Sequence, residues 1–399
     1  LDSNKLKDIN EELNYHTIDA NLAWDLNLPL PDNYEFMWIG GHGTGTYALR
    51  YFLMHSDAFI PNNFFEDTSG KTGFQRYEYA FNIFVKNPNF KNIINIKEID
   101  FEDFEKFCKL IQKKCKFIFQ IRDYFEIFTC YSNHRNRQPN AIMEFDLNQD
   151  LYKVFNRFYF FSSGGCNYPR KLKLKDFQSK PLCKEFGFRS CIFEYSMIKI
   201  FDNVLDILYI DVKDISGEKT YFTMKKICNF LNLSFKEDVN YAEKYVSNDI
   251  NILFPLIIDI SSKTNNNTKL KIISHNNKFN DDIYQDITSQ LSIRQYEYQF
   301  KVLIKKDKFL LINNSLLKYL QSYFNNFSNI LNEIMKKQKQ ERVKESDYLD
   351  IYRLDRDIRQ KLYQMCNYEL THIKEHRPDI IASWKYYQEF EKMCKELDG

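Results

Sequence analysis

The chain has 399 residues, 44% hydrophobic, 28% charged and 17% aromatic, which predicts a soluble globular protein with a sizeable core in one large domain or two moderate ones. A formal net charge of +2 argues against a dedicated nucleic-acid binder. Nine cysteines with no C-x-x-C pair argue against a disulfide framework and for reduced thiols in a cytosolic setting. No apolar run approaches the length of a membrane span; the longest, Ile252 to Ile260, is far too short. No signal peptide is visible, and the first residue is Leu1 rather than Met, which suggests a fragment.

Residues 1–28 read as helical, with Leu13, Ile18, Leu22 and Leu26 near helical spacing, and Pro29 and Pro31 end that segment. Phe36 to Ile39 is an apolar run that predicts a buried strand. Gly40, Gly41, His42, Gly43, Thr44, Gly45 and Thr46 follow, and Tyr47 to Met54 resumes with helix formers. Four of the chain's eleven glycines fall here. A strand, a glycine-rich turn and a helix form an anion cradle, because the glycines let N–H groups converge and the helix start adds partial positive charge. No Lys-Ser/Thr follows the last glycine, so the Walker A pattern is absent. The glycine spacing also misses the dinucleotide fingerprint. The alternative is a tight turn with no ligand.

Residues 61–71 read as a loop carrying Glu66 and Asp67, either catalytic carboxylates or a solvated acidic loop. Asn92 to Ile99 predicts a strand, and Phe101 to Lys113 an amphipathic helix capped by Asp100. Cys115 to Ile121 predicts a second buried strand, ending in Arg122 and Asp123, with a helix from Tyr124 to Asn133. Arg122 at that edge either serves a ligand or makes a salt bridge to Asp123 or a neighbour. Lys171, Lys173 and Lys175 alternate with leucines, as a short edge strand or a loop would. Leu205 to Val212 predicts another buried strand and Tyr221 to Leu231 a helix, so strands and helices alternate as in a doubly covered parallel sheet. Strand-like runs at Leu253 to Ile260, Leu270 to Ser274 and Tyr296 to Ile304 are separated by Asn-rich turns. From Ser315 the chain reads as helical, and Trp384, Tyr386 and Tyr387 are expected to dock on the core.

The predicted organisation is a helical lead-in (1–33), an α/β domain with a central parallel sheet (34–250), a β-rich insertion (251–312) and a helical C-terminal region packing on the core (313–399).

Three pieces in order carry a resemblance over roughly residues 35–235. They are the glycine loop with Thr46, Tyr47, Ala48 and Leu49; Phe117 to Asp123 with Cys130, Tyr131 and Ser132; and Leu208 to Asp214 followed by Met224 to Leu233. Together they resemble the nucleotide-dependent sulfotransferase fold. That resemblance implies that Gly41, Gly43, Thr44, Gly45, Thr46 and Tyr47 bind the donor's 5′ diphosphate-like end. It implies that Arg122 and a hydroxyl eight residues on bind its 3′-phosphate. That position is Cys130 here, with Ser132 two residues later. The family's loop lysine is replaced by Gly43, beside His42.

The whole chain, with Tyr15, His16, Thr17 and the segment Arg377 to Tyr387, also resembles bacterial sugar transferases of capsule gene clusters. Some of these are linked to adding O-methyl phosphoramidate. The implied activity is transfer of a phosphoramidate-type group from a 3′-phosphonucleotide (a 3′-phospho-CDP-type donor) to a capsular or surface polysaccharide hydroxyl. His42, Glu66 and Asp67 are the catalytic candidates. The implied partners are the nucleotide donor and a carbohydrate acceptor, with no nucleic acid, no transmembrane segment and no metal. The implied location is cytoplasmic, or membrane-peripheral beside glycan-assembly machinery. The alternatives are a sulfotransferase using phosphoadenosine phosphosulfate and a non-catalytic glycan- or partner-binding protein on the same fold.

Overall fold

The computed structural model describes residues 15–60, 71–97, 101–137, 141–155, 158–160, 171–178, 195–241, 250–275 and 277–399. Glu66 and Asp67 therefore lie outside the described residues, as does Asp100.

In chain order the strands are β1 (Tyr34–Gly40), β2 (Ala58–Phe59), β3 (Lys91–Ile96), β4 (Cys115–Ile121), β5 (Arg135–Arg137), β6 (Glu144–Asp146), β7 (Phe158–Phe160), β8 (Val204–Asp211), β9 (Leu256–Asp259), β10 (Lys269–Ser274), β11 (Tyr284–Asp286) and β12 (Phe300–Lys305). The chain divides into two units: residues 1–130, 172–245 and 345–399 form one, and 131–171 and 246–344 the other.

The first unit is built on a five-stranded sheet in the order β2-β3-β1-β4-β8, parallel at every pairing. The central strands are apolar almost throughout because both faces are covered. Phe36, Trp38 and Ile118 pack with Leu49, Leu53, Met224 and Ile227 from the helices Thr46–Leu53 and Lys219–Leu231. The expected strands at 36–39 and 115–121 and the helices after them are present. Helix Gly73–Lys86 was not foreseen, although Thr72 and Gln75 form a capping box at its start. The helix expected from Phe101 to Lys113 is only Phe104–Lys109, and its N-cap is Asp103 in a left-handed conformation, not Asp100. Leu110 and Ile111 leave the helix to be buried. Around the lysine-leucine alternation, Lys171 and Lys173 precede a short helix, Leu174–Gln178, rather than form a strand.

The C-terminal helices of this unit dock through two strand-end carboxylates. Asp211 accepts from Trp384 Nε1 at 2.7 Å, and Asp123 accepts from the backbone N–H of Tyr386 and of Tyr387, both at 3.2 Å. Trp384 and Tyr387 are fully buried, as the aromatic ending predicts.

The second unit carries a mixed sheet in the order β11-β12-β10-β9-β6, antiparallel except for β6 with β9. Its strands alternate. Leu256, Ile258, Leu270, Ile272, Val302 and Ile304 face a core shared with Leu320, Phe324, Phe327 and Leu331 of helix Asn314–Gln340. That long helix groups with the β-rich sheet, whereas residues 345–399 group with the first unit.

Candidate functional site

The first sheet reverses direction at its centre. The chain leaves β1 toward β2 on one side and leaves β4 toward β8 on the other, so the crevice beyond the carboxyl ends of β1 and β4 is the topological switch point. Open parallel sheets bind ligands there. The glycine loop ends β1 and Arg122 follows β4, so the two sequence-predicted anchors meet at this crevice.

The loop has a rigid geometry. Gly43 and Gly45 have φ of +79° and +88°, the left-handed region in which a side chain is strained. A Cβ on Gly45 would lie 2.8 Å from Val212 Cγ2, and one on Gly43 would lie 3.2 Å from Ile127 Cγ2. The loop therefore lies close against the residues that follow β4 and β8. Thr44 is buried, and its hydroxyl donates to the Gly41 carbonyl at 2.7 Å. Gln120, buried in β4, donates to the Thr44 carbonyl at 2.8 Å and accepts from Trp38 Nε1 at 3.1 Å. These bonds hold two loop carbonyls, those of Gly41 and Thr44. Helix Thr46–Leu53 starts directly after Gly45, whose carbonyl accepts from the Ala48 and Leu49 N–H groups at 3.0 and 3.1 Å, so the Thr46 and Tyr47 N–H groups lie ahead of the first intrahelical bond.

Arg122 Nη1 donates to the Gly43 carbonyl at 2.8 Å, and Nε donates to Glu126 at 3.0 Å. Its backbone is clamped at both ends by the Tyr195 hydroxyl, which accepts from the Arg122 N–H and donates to the Arg122 carbonyl. Glu126 also pairs with Lys213 Nζ at 3.3 Å. One carboxylate therefore sits between two cations beside the loop. Of the two salt-bridge partners the sequence allowed, a neighbour, Glu126, is the one that pairs with Arg122, and Asp123 is turned inward. It accepts from Phe125 N–H as well as from Tyr386 and Tyr387, and burial pushes its carboxyl up to about 6. Burial also raises the Asp211 carboxyl above its ordinary value.

Of the remaining predicted residues, Cys130 is exposed on helix Tyr124–Ser132, its Cβ 3.8 Å from where a Gly43 Cβ would lie. Ser132 is fully buried at the end of that helix. The Cys130 side chain therefore comes to the loop, and Ser132, two residues on, lies on a different face of the helix. His42 is half-buried in the turn, Gly41 and Thr46 are buried, and Tyr47 is exposed with Lys97 Nζ 5.2 Å from its ring centre. Lys97 directly follows β3, the other neighbour of β1.

Sequence reasoning missed Glu126, Lys213, Gln120 and Lys97. The four-residue spacing of Arg122 and Glu126 was a usable signal. Lys97, Arg122 and Lys213 share another: each lies one or two residues beyond a strand of the sheet. The arrangement sets a helix N-terminus and a glycine turn beside two cations held by one carboxylate, with a half-buried imidazole in the turn. It can bind an extended polyanion by fixed dipoles and charge. Among the described residues no group of three His, Cys, Asp or Glu side chains could hold a metal ion, and no helix is long and apolar enough to cross a membrane.

A family model described as a protein of unknown function, DUF2972, matches residues 209–397. The match takes in Asp211, Lys213 and the docking segment at Trp384, and begins after the glycine loop and Arg122. No curated protein and no solved structure matches the chain.

Proposed function

We propose that the chain is a group transferase that moves a phosphoramidate-type group from a 3′-phosphonucleotide to a hydroxyl of a capsular or surface polysaccharide. The observation that carries this reading is the hydrogen bond from Arg122 to the Gly43 carbonyl, which joins the cation after β4 to the anion cradle after β1. A donor with phosphate at both ends of its ribose needs two such anchors. In this scheme the Gly41–Thr46 turn holds the diphosphate-like end, and Arg122 with Lys213 receives the 3′-phosphate. Arg suits this role because its fork can bind two phosphate oxygens. The acceptor oxygen attacks phosphorus in line, the bond to the bridging oxygen breaks, and that oxygen leaves with the nucleotide. His42 takes the acceptor proton. Fixed N–H donors stabilise charge on the transferring group.

Phosphoadenosine phosphosulfate has the same two anchors, so the donor is decided by experiment. Thermal unfolding is followed with a 3′-phospho-CDP-type donor, with phosphoadenosine phosphosulfate, and with 5′-nucleotides lacking the 3′-phosphate. A ligand at a hundred times its Kd adds about 2.7 kcal/mol, or a shift of about 5–10 °C. The cytidine donor is expected to give the largest shift. If neither bisphosphate raises the melting temperature, the transferase reading fails.

A further inference from the structure

The second unit carries a groove unrelated to the glycine loop. It has a volume of about 430 Å³ and lies on the mixed sheet, with Lys269, Lys271, Lys305 and Lys308 along it and Tyr284 as one wall. Its size falls within the range of ligand sites. The outward positions of β10 and β12 supply Lys269, Lys271 and Lys305, the short helix Lys306–Leu311 supplies Lys308, and the inward strand positions form the core.

The charge there is poorly compensated. Lys269 pairs with Glu144, and Lys308 lies 3.9 Å from Asp307. Lys271 instead sits 5.1 Å from the centre of the Tyr284 ring. Neither Lys271 nor Lys305 has a carboxylate within ion-pair distance among the described residues. The antiparallel register pairs Leu270 with Ile304, which places Lys269 and Lys305 opposite each other at the strand ends. Like charges directly opposite destabilise a sheet.

We infer that this groove binds an acidic oligosaccharide, one bearing carboxylate groups on its sugars. The lysines meet the carboxylates. Glu144, Asp307 and the Asn267 amide, which also line the groove, meet hydroxyls. A uniformly anionic phosphate surface would be repelled by those two acids. The wall has one aromatic ring, and a cation already lies over it, so a row of bases has no stacking platform. The adjoining turn exposes Asp281 and Asp282, which disfavours an anionic bilayer.

The test uses the full chain and measures binding of hexagalacturonate, with maltohexaose as the neutral control and phosphatidylglycerol vesicles as the lipid control. Hexagalacturonate is expected to bind, more weakly as salt is raised. The double variant Lys271→Gln/Lys305→Gln is expected to bind about fivefold to tenfold more weakly, with a melting temperature close to that of the parent, since neither lysine makes an ion pair among the described residues. Absent binding of hexagalacturonate, equal binding of maltohexaose, preference for vesicles, or an unchanged double variant overturns the inference. The nucleotide site is read separately: Arg122→Ala leaves hexagalacturonate affinity intact, and the lysine variants leave the nucleotide-induced thermal shift intact.

Discussion

Gly45→Ala tests the loop geometry on which the anion site depends. The substitution adds a Cβ to a residue with φ of +88°, and that atom would lie 2.8 Å from Val212 Cγ2 and 3.3 Å from Gln120 Nε2. Left-handed backbone costs an L-residue about 1–2 kcal/mol. The overlap with Val212 adds an overpacking cost of about 1–3 kcal/mol, because Val212 follows directly on β8 and has little room to retreat. The expected loss is therefore about 2–5 kcal/mol. Gly217→Ala separates the two contributions. Gly217 has φ of +63° with nothing within 4 Å of the added atom, so only the backbone cost of about 1–2 kcal/mol applies. Both glycines belong to the first unit, as do all three tryptophans, Trp24, Trp38 and Trp384. Urea unfolding followed by tryptophan fluorescence therefore reports on that unit. Equal midpoint shifts for the two variants would show that the loop is not packed against Val212 and would refute the rigid cradle.

Two further perturbations probe the charges around the loop. Glu126→Gln keeps a hydrogen-bond acceptor for Arg122 but removes the negative charge shared with Lys213, so affinity for a bisphosphate nucleotide should rise about twofold to fivefold by calorimetry; a loss of affinity would mean that Glu126 organises the site rather than competes for it. Asp123 has a folded-state value of about 6 against an ordinary 3.8, so the stability it contributes is fully present below pH 3.8 and is lost as pH rises through about 6. In Asp123→Asn that fall in unfolding free energy between pH 4 and 6 should be absent, and a slope identical to the parent's would assign the titration to another group.

The glycine loop was legible because four glycines rarely cluster by chance between an apolar run and a helical one, and β4 was legible because its apolar run ends at a charged pair. What the sequence obscured is tertiary. Arg122 and Asp123 are adjacent, and a salt bridge from Arg122 to Asp123 or to a neighbour was one reading. In the fold the acid turns in to cap the C-terminal segment, while the base turns out to Glu126 and Gly43. Lys213 reads as one more charge after a strand until the parallel register places it beside Glu126. Cys130 and Ser132 look interchangeable by position, but helical rotation takes one to the loop and buries the other. Helix Gly73–Lys86 was overlooked although Tyr77, Phe81 and Phe84 recur at helical spacing and Thr72 and Gln75 form a capping box, because its start lies inside a Gly- and Thr-containing stretch.

The two-anchor site is tested most directly by calorimetric titration of a 3′,5′-bisphosphonucleoside into the full chain and into Arg122→Ala. The predicted result is measurable binding by the parent and a loss of about 10-fold to 100-fold in the variant, the effect of removing a charge-assisted fork worth about 1.5–3 kcal/mol. Equal affinity in the two proteins, or no binding by either, would contradict it.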